Sequence, residues 1–67
     1  MRHLDALMAR IDDLRDDRDA TARYYMQTLV VEGHSPATER WAVDRYTTLA
    51  TDLRDTRALL RELAQRV

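Results

Sequence analysis

The chain has 67 residues with twelve acidic side chains against eleven basic ones, all Arg, and its formal charge of -1 leaves no net field to draw in nucleic acid or an anionic membrane. A chain this short forms one domain at most, and a domain of about 60 residues buries only ~60% of the surface its unfolded chain exposes. With no Cys, disulfides, thiolate chemistry and Cys-based zinc sites are excluded.

From residue 2 to about 32, side chains recur at spacings of three and four: Leu4, Leu7, Ile11, Leu14, Arg18, Thr21, Tyr25 and Thr28, widened on one flank by Met8, Ala22 and Leu29. This is the period of an amphipathic helix that packs along a heptad seam. Arg18 and Thr21 weaken its middle. An ionised group at a seam position must snorkel to water or reach an acid, here Asp52 or Asp17.

Residues 33–35, Gly33-His34-Ser35, form the expected turn, and Gly33 and Pro36 are the only Gly and Pro in the chain. Glycine suits the left-handed position past a helix end, Ser35 suits an N-cap, and Pro36 suits a first helical turn, where its missing N–H costs nothing. The second helix then runs over about 36–66, with a seam of Ala42, Tyr46, Leu49, Leu53, Thr56, Leu60, Leu63 and Val67.

So short a link joins adjacent antiparallel helices, which predicts an all-α, coiled-coil-like two-helix hairpin. Folding about His34 brings residues whose numbers sum to roughly 68 level with one another, so Leu14 faces Leu53. On the same register, Asp5, Asp12 and Asp19 stripe one side of the first helix, and Arg54, Arg57 and Arg61 the matching side of the second. Asp5 is expected near Arg61, and Asp12 near Arg57 or Arg54. Two helices cover only one face of each other, so the expected assembly is a twofold homodimer that completes a four-helix bundle.

Little in the chain offers catalytic chemistry. His3 and His34 fall at the terminus and the turn, and Glu32, Glu39 and Glu62 are scattered, without the Glu-x-x-His pairs of a di-iron bundle. No base is placed beside a Ser or Thr hydroxyl, and one glycine cannot build a phosphate-cradling loop. The expectation is a non-enzymatic chain with no metal, cofactor or small-molecule substrate. The N-terminal Met1-Arg2-His3-Leu4-Asp5 opens no signal-peptide run, and no segment reaches the ~20 apolar residues of a membrane span, so a cytoplasmic place is expected.

Three resemblances bear on function. The segment Leu7-Met8-Ala9-Arg10-Ile11-Asp12-Asp13-Leu14-Arg15 resembles the first helix of small all-helical chorismate mutases. Where that family places an essential Arg and Asp, this sequence has Met8 and Arg15, and its length leaves no room for the family's third helix, so that reading is set aside. Leu49-Ala50-Thr51-Asp52-Leu53-Arg54-Asp55-Thr56-Arg57 is similar to the coiled-coil docking segments of modular polyketide synthases, which implies helix pairing and no more. The hairpin plan is also similar to Rop-like plasmid copy-number regulators, which dimerise into a four-helix bundle and bind paired RNA. That resemblance implies phosphate contacts from Arg54, Arg57 and Arg61. Against it, Asp52, Asp55 and Glu62 interleave with these Arg residues.

The aromatic residues Tyr24, Tyr25, Trp41 and Tyr46 all fall in the half of the hairpin nearest the turn, with Met26, Leu29, Val30, Val31 and Val43. Tyr25 and Tyr46 are seam positions, expected in the core. Tyr24, Val31, Trp41 and, farther along, Leu59 lie on the flank, where a hairpin cannot cover them, and such grouped residues mark a contact surface. The expected function is therefore a protein–protein interaction module, a small adaptor, assembly factor or regulator that docks on a larger protein. A nucleic-acid regulator is the alternative, and a structural component of a phage or larger assembly a third.

Overall fold

The computed structural model describes residues 2–66, with side chains from Leu4 onward, so the seam position given to Val67 and the imidazole of His3 lie outside the described residues. Two helices, α1 (Arg2–Glu32) and α2 (Pro36–Gln65), pack antiparallel along their length. No glycine interrupts either helix and the only proline opens α2, so nothing breaks the ladder of backbone hydrogen bonds. The result is a rod of 50 × 14 × 11 Å. Its radius of gyration is 15.3 Å, against about 11 Å for a compact chain of this length.

The turn uses the residues its geometry demands. Gly33 has φ 79 and its N–H donates to the Leu29 carbonyl at 3.1 Å, which closes α1 with a left-handed cap. Ser35 is extended and its hydroxyl accepts from the Thr38 N–H at 3.4 Å, so it caps α2 with Pro36 in the first turn. His34 and Glu39 sit one residue before the cap and four into the helix, where an apolar staple often fixes chain entry. Here a 2.7 Å contact between His34 Nε2 and Glu39 Oε2 fills that place.

The core lies in the seam. Leu14, Leu49 and Leu53 form one buried cluster with Ile11 packed against it, and Ala42 is buried nearer the turn. Leu53 is only 2% exposed. Thr21, a poor core residue by type, is also buried, because its hydroxyl donates to the Asp17 carbonyl one turn back at 2.8 Å and leaves its methyl for the seam.

Four expectations need correction. Tyr46 is 41% exposed rather than core. Thr21 and Ala42 set a layer of small side chains at its level, and a phenol ring has no room between helices that close over them. Met8 is exposed as well, since its flank position is covered only by a further helix.

The charge stripes form no bridges between the helices. Among the described residues every carboxylate–cation contact is local: Asp12 with Arg15 at 3.3 Å, Asp19 with Arg18 at 3.0 Å, Asp55 with Arg54 at 3.3 Å, Glu62 with Arg66 at 2.8 Å, a longer Arg15–Asp16 contact, and the His34–Glu39 pair. The stripes occupy outer flank positions, and axes about 8–10 Å apart carry such side chains away from each other. Arg18 reaches Asp19 rather than Asp52 or Asp17. It is a seam residue whose head has snorkelled out to its own helix. Arg18→Leu is expected to leave stability unchanged or raise it by about 1 kcal/mol in urea unfolding. A loss of that size would show that the guanidinium holds the seam.

Candidate docking surfaces

The seam divides the rod into two long faces, and the helical period sorts the turn-proximal apolar residues between them. Neighbouring residues point about 100° apart around a helix, so Tyr24 and Tyr25 fall on different sides. On one face Tyr24 meets Trp41 edge to face, with ring centroids 5.6 Å apart and planes at 75°. Ala37 and Thr38 line the same hollow. Trp41 is 47% exposed and Val31, at the last turn of α1, is 81% exposed. A partly exposed aromatic pair of this kind presents rigid apolar area with few rotamers to freeze on contact.

Leu59 does not join them. It lies beside Ala6, Leu7, Arg10 and Leu63 in a separate apolar hollow toward the other end of the rod. Of the four flank residues read from the sequence, the structure brings Tyr24 and Trp41 into contact, leaves Val31 open at the turn end, and sets Leu59 apart.

The other face carries a groove that the sequence reading did not resolve. Ala22, Tyr25, Met26, Val43, Tyr46 and Thr47 line about 300 Å³ of almost wholly apolar space, floored by Thr21 and Ala42. Met26, Val43 and Tyr46 are exposed within it. The signal was present in the heptads, which place Met26 and Val43 on the flank opposite Trp41. What hid it was the placement of Tyr46 in the core.

Beyond this groove, toward the chain termini, the same face becomes charged. Asp12 and Asp19 on α1 and Arg54, Arg57 and Arg61 on α2 are the stripes described above, and Arg54 is occupied by Asp55. No group of three or more His, Asp or Glu residues is placed to hold a metal ion among the described residues. None of the described helices is long and apolar enough to cross a membrane. Comparison with protein-family models, with curated proteins and with solved structures gives no match for this chain.

Proposed function

We propose that the hairpin is a non-enzymatic protein–protein interaction module that assembles as a twofold dimer and docks on a larger protein through the Tyr24–Trp41 face. The observation that carries this reading is the exposed edge-to-face pair of Tyr24 and Trp41, with Val31 exposed on the same helix flank at the last turn of α1. Isolated exposed apolar residues are ordinary on any surface, whereas aromatics grouped with a branched residue on one face are not.

The surface area supports a missing partner. The hairpin exposes 5303 Å², whereas a compact monomer of its 7.9 kDa exposes about 4,400 Å². Four buried apolar side chains, Leu14, Ala42, Leu49 and Leu53, make a thin core for the described residues. Phosphate binding by Arg54, Arg57 and Arg61 draws less support, since the stripe is interleaved with acids and Arg54 already holds one.

Affinity capture run in parallel with the native chain and with Trp41→Ala tests the docking reading. A protein retained by the first and lost by the second supports it. Equal retention of the same proteins by both counts against the aromatic face.

A further inference from the structure

We infer that the groove face, lined by Ala22, Tyr25, Met26, Val43, Tyr46 and Thr47, is covered by a second copy of this chain whose turn lies at the same end of the rod. This rests on the dimeric reading given above and assigns it a face and an orientation. It also separates two tasks: the groove face builds the dimer, and the Tyr24–Trp41 face stays open for the larger partner.

Charge complementarity selects the orientation. Two hairpins stacked on this face have two twofold arrangements. With the axis parallel to the rod, each residue stays at its level and α1 of one copy lies across α2 of the other. Met26 then meets the partner copy's apolar wall around Val43, and the Asp5, Asp12 and Asp19 stripe lies over the partner's Arg54, Arg57 and Arg61. Level by level, these are the acid–base pairs that the register calls for, and in the single hairpin Asp12, Asp19 and Arg54 turn instead to Arg15, Arg18 and Asp55 on their own helices, exposed contacts that a facing stripe can share or replace. With the axis perpendicular to the rod, α1 lies on α1 in reverse. Asp12 then falls near Ala22, and the apolar groove rests on the charged half of its partner. That arrangement sets charged side chains against apolar ones with no opposite stripe to meet, which is the costlier outcome.

The area agrees. The hairpin's surface of 5303 Å² exceeds that of a compact chain of its mass by about 900 Å². A standard interface takes about 800 Å² from each partner. The excess over the whole rod is of the size that one such interface covers.

Two charge variants and one label test the assignment. Asp12→Arg in one chain and Arg57→Asp in the other create like-charge contacts in each homodimer and matched contacts in the heterodimer. A one-to-one mixture, separated by native mass spectrometry, is therefore expected to hold more heterodimer than the statistical share. A spin label on Glu32→Cys, at the end of α1, is expected to give a label separation of about 20 Å, two helix diameters. The reversed arrangement sets the labels about a rod length apart, near 50 Å. Statistical mixing, the long separation, or monomers throughout overturns the proposal. So does a dimer that survives Met26→Glu with Val43→Glu but is lost in Trp41→Ala, which would exchange the two faces. Failure of Trp41→Ala to lose a captured partner concerns the docking reading alone and leaves this one standing.

Discussion

Leu53→Ala is expected to abolish cooperative folding of the hairpin at micromolar concentration. Leu53 is 2% exposed and packs with Leu14 and Leu49 at the centre of the only buried apolar cluster among the described residues. Removing a buried Leu side chain costs about 2–5 kcal/mol, the lost transfer energy plus the cavity left behind. A whole chain of 67 residues has about 3–10 kcal/mol of stability to lose, and a thin core puts this one toward the lower figure. Circular dichroism followed through a urea titration reads the effect as a collapse of the transition midpoint. Leu59→Ala is the control, because Leu59 is exposed and its truncation is expected to change the stability of a hairpin by no more than about 0.5 kcal/mol. Equal losses from the two substitutions would place the core elsewhere.

Trp41→Ala is expected to separate binding from folding. At 47% exposure, the ring meets Tyr24 edge to face and lies outside the buried cluster of Leu14, Leu49 and Leu53. Such aromatic pairs are worth about 0.5–1.5 kcal/mol beyond their buried area. The variant should therefore keep its helicity and melt slightly earlier. Binding to the docked protein should weaken by about 2 kcal/mol or more, as for a central aromatic anchor. A loss of stability in the ~3–5 kcal/mol range of a buried large aromatic would instead make Trp41 a core residue. No change in either stability or binding would remove the aromatic face as a working surface.

Backbone chemistry made much of the fold legible. Gly33, Ser35 and Pro36 each perform a local geometric task that needs no knowledge of the rest of the chain, and the heptads of Leu, Ile and Ala set which stripe of each helix is covered. The observed turn, with Gly33 at φ 79 and Ser35 capping Thr38, follows from those residue types. Tyr46 was not legible in the same way. Periodicity places it at the seam, but whether a ring fits there depends on the size of the residues across from it, Thr21 among them. Long, exposed charges were harder still. Asp12 and Arg54 share a face, yet each meets a neighbour on its own helix before it can reach across, and such exposed pairs contribute only about 0–1 kcal/mol in any case.

The candidate site was half legible for a related reason. Composition and position gathered the aromatics near the turn, and the heptads set Tyr24 and Trp41 on one flank. Division of the apolar residues into two faces needs the angular offset between Tyr24 and Tyr25 to be carried through to Met26, Val43 and Tyr46. Leu59 shares the flank of Trp41 but not its neighbourhood, because a rod of 50 Å keeps residues many turns apart on one side from meeting.

Sedimentation equilibrium on the native chain, combined with circular dichroism over the same concentrations, tests most directly the claim that this hairpin needs a second protein layer. A mass of twice 7.9 kDa is expected at micromolar concentration, with helicity lost as dilution drives dissociation. A fully helical species of the single-chain mass, stable across that range with no other protein present, would contradict it.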